Sequence, residues 1–108
     1  MPVYRQQTNT VRNAELVHVI TEELKRDDPA AADARAPVII IQPTFGGHET
    51  VTVIWDDERW AALTREDRGE IIMDSHDSAY GKNAMLKIMY AFGLTNAEAR
   101  SMGIEIPV

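Results

Sequence analysis

The chain contains no cysteine among its 108 residues, which excludes disulfide bonds, thiol catalysis and cysteine-ligated metal centres. No stretch approaches the roughly 20 apolar residues that a membrane-spanning helix needs, and no apolar segment follows a basic start. The Walker, GxGxxG, HExxH and GxSxG motifs are also missing, so several common enzyme classes lose support. From these absences we expect a soluble, cytoplasmic protein that does not span a membrane.

The chain also has few positively charged residues. The chain has 11 Lys and Arg residues against 17 Asp and Glu residues, a formal net charge of −6, which does not favour non-specific binding to nucleic acid phosphates. The length suits one domain with its own hydrophobic core. We therefore predict a polar N-terminal arm over residues 1–9 and a single domain over residues 10–108.

The clearest structural signals lie in the middle of the chain. Alternating β-branched residues over positions 50–55 predict a strand. Thr64 stands three residues before Asp67, a variant of the capping box that marks a helix start. Gly81 is a left-handed helix stop. The sequence therefore predicts a helix from about Arg65 to Tyr80.

Before this region, an amphipathic pattern over residues 10–26 predicts an N-terminal helix that buries Leu16, Val17, Ile20 and Leu24. Residues 27–37 are predicted to be a linker within the domain. The β-branched run Val38–Ile41 predicts a strand that is apolar on both faces. Gly46 and Gly47 supply positive φ for a turn, so this strand and the next are predicted to form an antiparallel hairpin.

The C-terminal part is predicted to be mainly helical. Residues 84–92 are apolar nearly all round a helical wheel, which is typical of a buried helix, and Gly93 would end it. Thr95 and Glu98 form a capping box for a further helix, and residues 104–106 could form a short final strand. The fold class is therefore α+β, with an N-terminal helix, an antiparallel β-hairpin, two to three C-terminal helices and a possible last strand, in the order αββαα(β).

One strip of the predicted central helix is a candidate interface. Met73, His76 and Tyr80 lie between its core side and its acidic side, and they are apolar for a solvent-facing strip. Two interpretations stay open: peripheral core under another helix, or a contact surface for a partner or a second copy. Trp60 joins the candidates because tryptophan is enriched at binding hot spots, whereas Trp55 is expected in the core.

Asp56 and Asp57 directly follow a predicted strand. Paired carboxylates there could bind a hard cation or act as acid and base, but a polar turn explains them as well and is favoured. His48, beside two glycines in the hairpin loop, is a further weak ligand candidate. Asp74 and His76 lie about 200° apart on a helix and cannot share one ion. We predict no metal site and no cofactor.

The order of elements is similar to that of type II KH domains and BolA-like proteins. The KH resemblance implies a GxxG loop that holds a nucleic acid backbone. The corresponding positions here are Gly81-Lys82-Asn83-Ala84, without the second glycine, and the basic lining is limited to Lys82 and Lys87. The BolA-like resemblance implies a redox partner and a late histidine, but no histidine follows His76.

Three functions stay open. The first is a small non-enzymatic interaction or regulatory module that acts as a homodimer or binds a protein partner. The second is a nucleic-acid-binding domain that uses residues 81–87. The third is a small enzyme with an acidic site near Asp56 and Asp57 or with His76 in a cleft.

Overall fold

The computed structural model describes residues 10–25 and 36–104. The predicted N-terminal arm, most of the predicted linker and residues 105–106 of the predicted final strand lie outside this part. In the described ranges, no helix has the length and apolar character needed to cross a membrane.

The described residues form an α+β fold with a three-stranded sheet and five α-helices. The elements, in chain order, are α1 (Thr10–Leu24), β1 (Val38–Pro43), β2 (Glu49–Ile54), α2 (Glu58–Ala61), α3 (Arg65–Tyr80), α4 (Lys82–Leu86), β3 (Ile88–Leu94) and α5 (Asn96–Ser101). The predicted class and the start of the predicted order are therefore confirmed, while the last third of the chain differs from the prediction.

Local capping chemistry sets the helix boundaries as predicted. The Thr64 hydroxyl accepts a hydrogen bond from the Asp67 N–H at 3.1 Å, and α3 begins at the next residue. Gly81, with φ of 95°, ends this helix. At α5, the Glu98 N–H donates to the Thr95 hydroxyl, and the Glu98 carboxylate accepts from the Thr95 N–H, so the capping box is complete.

The hairpin forms as predicted, but the sheet is mixed. β1 and β2 pair antiparallel, joined by a short 3₁₀ turn in which Gly46 and Gly47 have φ of 75° and 77°. β3 then lies on the other side of β2 and runs parallel to it. The strand order is β1-β2-β3, so β2 is central and its inward side chains Val51 and Val53 are buried.

The predicted buried helix over residues 84–92 is wrong, because α4 ends at Leu86 and β3 begins at Ile88. Ile88 and Ala91 both pack toward the main core although they are three residues apart. That spacing imitates a helix, but here a β-bulge produces it. The register passes from Glu49↔Ile88 to Thr50↔Tyr90 and leaves Met89 as an extra residue.

The main core lies between one face of the sheet and the helices α1 and α3. Its buried members are Leu16, Ile20, Val51, Val53, Trp55, Trp60, Ile71, Ile72 and Ile88. A much smaller cluster lies on the opposite face, where α5 packs on the end of the sheet. It consists of Ile54, Leu94 and Ala99, with Val38, Ile40 and Ile104 packed around them.

Gly93, which the sequence predicts as a helix end, is instead an interior residue of β3. A Cβ atom at this position would stand 2.6 Å from Cζ2 of Trp60 and would overlap Cβ of Arg68. Glycine is therefore required here by close packing, not by a turn.

Replacing Gly93 with alanine should lower the free energy of unfolding by about 3 kcal/mol, because both obstructing groups are buried. Urea denaturation measures this change. Gly69→Ala is the matched control, because its Cβ would meet only the Ala91 carbonyl oxygen at 3.4 Å and the helix gains propensity. Equal stability of Gly93→Ala and the wild-type protein would contradict the packing account.

Candidate functional site

The two faces of the sheet are covered unequally. On the face opposite α1 and α3, the cross-strand row nearest α5 is buried: Ile54 and Leu94 are each 1% exposed. Of the next two rows, which run toward the hairpin turn, Thr52 is 7% exposed and Ile40 packs against the cluster under α5, whereas Gln42, Tyr90 and Phe92 are exposed. Their six residues, which we call the open half-face, are Ile40, Thr52 and Phe92 in one row and Gln42, Thr50 and Tyr90 in the other.

Two aromatic rings dominate the open half-face. Tyr90 is 56% exposed and Phe92 42% exposed, and their rings stack with centroids 5.9 Å apart and planes inclined by 15°. Further exposed apolar side chains lie at the same end of the sheet, where β2 and β3 both begin: Phe45, Leu86 and Met89. Contiguous apolar surface of this kind marks interaction sites in soluble proteins.

The bulge at Met89 decides which way these rings point. Side chains alternate between the two faces of a strand, so a shift of one residue moves every side chain to the other face. Because Met89 is the extra residue, Ile88 keeps its place in the main core while Tyr90 lies opposite Thr50. The bulge therefore allows one strand to supply both the core and the open half-face.

A buried arginine fixes β3 to the helices. Arg68 is 3% exposed, and its guanidinium donates to three backbone carbonyls, those of Trp60 (2.9 Å), Ala61 (3.1 Å) and Gly93 (3.1 Å). The guanidinium carbon also lies 5.9 Å from the centroid of the Trp60 ring. One side chain therefore connects α3 to the end of α2 and to β3.

The same arginine holds α5 in place. Arg68 Nη1 donates to Glu98 Oε1 at 2.7 Å, and this oxygen also accepts from the Thr95 N–H at 2.8 Å. The Thr95 hydrogen bond and the adjacent Arg68 charge hold the pKa of Glu98 below its ordinary value, although partial burial opposes them. In addition, the Trp60 indole N–H donates to the Leu94 carbonyl at 2.9 Å. These bonds place α5 over one end of the sheet face that lies opposite α1 and α3, which we call the second face.

Most of the predicted interface strip on α3 lies inside the chain. His76 is 3% exposed, and its ring meets Tyr80 edge-on at 5.7 Å. The Tyr80 hydroxyl donates to the Leu24 carbonyl of α1, and Met73 is partly buried against the main core. This placement matches the interpretation as peripheral core under another helix, and only Tyr80 retains a large exposed fraction.

His76 is an unusual core residue because its buried Nε2 atom has no hydrogen-bond partner among the described residues. Burial lowers the pKa of His76, and the negative charge of Glu49 only partly opposes this effect. The folded state therefore favours the neutral imidazole.

Trp60, an interface candidate from the sequence, is 0% exposed and packs 5.6 Å from Trp55. Its indole is used inside the fold and offers no exposed surface to a partner. Both tryptophans therefore lie in the core, as predicted for Trp55.

The acidic turn after β2 has a structural explanation. Asp57 is the N-cap of α2 and accepts from the backbone N–H groups of Arg59 and Trp60. Burial opposes the charge of Asp57, but the hydrogen bonds from the Arg59 side chain and from these N–H groups keep its pKa below the ordinary value. Asp56 and His48 are exposed. Within the described residues, no three acidic or histidine side chains form a group that could hold a metal ion.

The sequence prediction missed the residues that now matter most. Arg68 stands three, four and seven residues before Ile71, Ile72 and Ser75, so its position on the buried side of α3 was visible. Tyr90 and Phe92 alternate with Ala91 and Gly93, a strand signal that was hidden by the helical spacing around the bulge.

Comparisons with known proteins add no constraint. No protein-family model matches the chain, and neither the curated proteins nor the solved structures give a significant match. In the structure, Gly81 alone joins α3 to α4, at the position of the KH loop. The KH-like and BolA-like order is thus a likeness of layout, and function has to be argued from the residues.

Replacing Arg68 with methionine should lower the free energy of unfolding by about 3 kcal/mol, because three carbonyls and the Glu98 carboxylate lose their donor. Urea denaturation provides the measurement. Arg65→Met is the control: Arg65 is exposed and lies 4.0 Å from Glu98, so its loss should change stability by less than about 0.5 kcal/mol. If Arg68→Met and Arg65→Met changed the free energy of unfolding by similar amounts, the Arg68 hydrogen bonds would not be central to stability.

Acid should destabilise the protein through His76. Its pKa is lowered in the folded state, so below about pH 6.5 the unfolded chain binds a proton that the folded chain does not. Stability should fall as the pH drops from 7 to 5, with a limiting slope of about 1.4 kcal/mol per pH unit. Urea denaturation of His76→Gln should show a weaker dependence over this range.

The carboxylates with lowered pKa, Asp57 and Glu98, lose their stabilising effect only at lower pH, as the pH falls through values below their ordinary pKa. The comparison with His76→Gln isolates the histidine, because Asp74, whose pKa is raised by burial and by the charge of Asp77, is present in both proteins. An identical pH dependence for the wild-type protein and His76→Gln would contradict the assignment.

Proposed function

We propose that the protein is a small, non-enzymatic interaction or regulatory module of the cytoplasm that acts as a homodimer and binds through the open half-face. The observation that carries this proposal is the unequal covering of the sheet. α5 and its cluster cover the row of Ile54 and Leu94 and part of the next row, and the stacked rings of Tyr90 and Phe92 remain in solvent beside them.

The composition of the open half-face supports a binding role. Aromatic residues are enriched in the buried centre of interfaces, whereas charged residues are depleted there. All six residues are uncharged in a chain with 28 charged side chains. Thr50 and Gln42 add hydrogen-bonding groups beside the aromatic side chains, so a partner can be oriented as well as attracted.

The enzyme hypothesis has weaker support. Asp57 is held by the cap of α2 and by Arg59, whose Nη2 lies 3.2 Å from Asp57 Oδ2. His76 is buried beside Tyr80 rather than placed with these carboxylates. The candidate acids and the candidate base therefore serve separate structural roles.

Single-stranded nucleic acid is the second candidate ligand. Exposed aromatic rings on a sheet are platforms on which unpaired bases stack, and Lys82, Lys87 and Arg100 are exposed on neighbouring elements. Three cations in a chain of net charge −6 provide little attraction for phosphates, so we rank this function below self-association.

Replacing Tyr90 and Phe92 together with serine should convert the dimer to monomer in sedimentation experiments, because the change removes the apolar centre of the proposed surface. The melting temperature should change by only a few degrees, since both side chains are largely exposed in the monomer. Tyr80→Ser is the control: its side chain is 52% exposed but lies on α3.

A wild-type protein that remains a monomer of 12.1 kDa up to millimolar concentration, with nothing bound, would contradict the proposal. Loss of association in Tyr80→Ser but not in the double variant would instead move the interface to α3. Oligonucleotide mass bound to the wild-type protein and absent from the double variant would favour the second candidate.

A further inference from the structure

We infer that two copies of this chain pack with their open half-faces against each other, so that the helical layers point outward on both sides. This inference rests on the proposed function and specifies its geometry. It excludes an alternative arrangement in which the copies join edge to edge along β3, one of the two edge strands of the sheet.

The first argument is the distribution of charge between the two layers. The segments that hold α1, α2 and α3 (residues 10–25 and 55–80) contain five cationic and eleven anionic side chains. The segments that hold the sheet, α4 and α5 (residues 38–54 and 82–104) contain three cationic and two anionic side chains. Within the described segments, the excess of negative charge therefore belongs to the layer that covers the main core.

Face-to-face packing keeps these acidic layers apart. Packed layers lie about 10 Å from each other, so two sheets between the helical layers separate the acidic surfaces by more than about 20 Å. The Debye length at physiological ionic strength is about 8 Å. Repulsion between the two copies is therefore screened, and the surfaces that meet are uncharged.

Edge-to-edge pairing would have the opposite effect. Within the described residues, β3 pairs only with β2, so its other edge is open. However, α3 lies directly over β3, with Gly69 close to the Ala91 carbonyl oxygen. Joining two β3 edges would bring two α3 helices side by side, with the exposed acids Glu66, Glu70, Asp74 and Asp77 on each. Like charges on two adjacent helices oppose association.

The second argument is that the polar groups of the open half-face are self-complementary. In a two-fold symmetric interface the same patch is present on both sides. Threonine and tyrosine hydroxyls and the glutamine amide can each both donate and accept hydrogen bonds. Thr50, Gln42 and Tyr90 can therefore satisfy one another across a two-fold axis. Lysine or carboxylate groups in the same places would not allow this.

The size of the surface indicates how strong the dimer should be. The open half-face is three strands wide and two cross-strand rows long, which is on the order of 10–15 Å in each direction. Together with the neighbouring Phe45 and Met89 it falls in the lower class of interface areas, which is typical of transient complexes. We expect a dissociation constant in the micromolar range or weaker, so dimer and monomer should coexist at accessible concentrations.

The test compares two single variants of the chain. One carries a new lysine on the open half-face, and the other carries a new lysine on the helical layer. Gln42 is exposed on β1, about 10 Å and two strands away from β3. Gln42→Lys should weaken dimerisation at least tenfold in sedimentation equilibrium, because two lysines would enter an uncharged contact. Ser78→Lys, on the exposed side of α3, adds the same charge elsewhere and should leave the dissociation constant within about twofold.

Edge-to-edge pairing predicts a different pattern. In that arrangement Gln42 remains in solvent, so Gln42→Lys would have no effect on a dimer that still forms. That result would overturn the inference while leaving the interaction module in place. Thermal unfolding of each variant shows whether the fold is retained.

The remaining outcomes separate the two proposals. The wild-type protein could instead be monomeric and carry a bound molecule that is lost when Tyr90 and Phe92 are replaced. That result would contradict the dimer and would keep the open half-face as a binding surface. Absence of any association that depends on these residues would overturn both.

Discussion

The structure depends most on the hydrogen bonds of the buried Arg68 guanidinium. Its donors meet the carbonyls of Trp60, Ala61 and Gly93 and the carboxylate of Glu98, so α2, α3, β3 and α5 converge on one side chain. A buried charge is tolerated only when it is paired and fully hydrogen-bonded. This requirement explains why Gly93 has no room for a Cβ and why α5 begins where Glu98 can reach back.

The proposed binding surface follows from the same constraint. α5 is only six residues long and is held at Leu94 and Glu98, so it covers one end of this sheet face and leaves Gln42, Tyr90 and Phe92 exposed. The bulge at Met89 then directs Tyr90 and Phe92 into the uncovered part. Among the described residues, the acidic side chains lie mainly in the opposite layer, so the proposed contact between two copies is an uncharged aromatic patch.

Sequence reasoning succeeded where structure is set by neighbouring residues. Thr64, Gly81 and the Thr95–Glu98 box act within a few positions, so α3 begins and ends, and α5 begins, at the predicted places. β3 was missed because its identity depends on pairing with β2, almost forty residues earlier, and because the bulge gives Ile88 and Ala91 a helical spacing. The burial of Trp60 depends in the same way on the distant Leu94 carbonyl.

The candidate site was predictable only in part. The alternation of Tyr90 and Phe92 with small residues was visible in the sequence, but their exposure depends on how far α5 extends over the sheet. Conversely, the strip of Met73, His76 and Tyr80 is defined by one helix alone, and the sequence could not show that α1 and the main core would cover much of it.

The most direct measurement is a dilution series of amide NMR spectra of the wild-type protein. Face-to-face association predicts concentration-dependent shifts at residues 40–42, 50–52 and 89–92, and constant positions for the exposed amides of α3. Spectra that do not change with concentration, or changes confined to the α3 strip, would contradict the account.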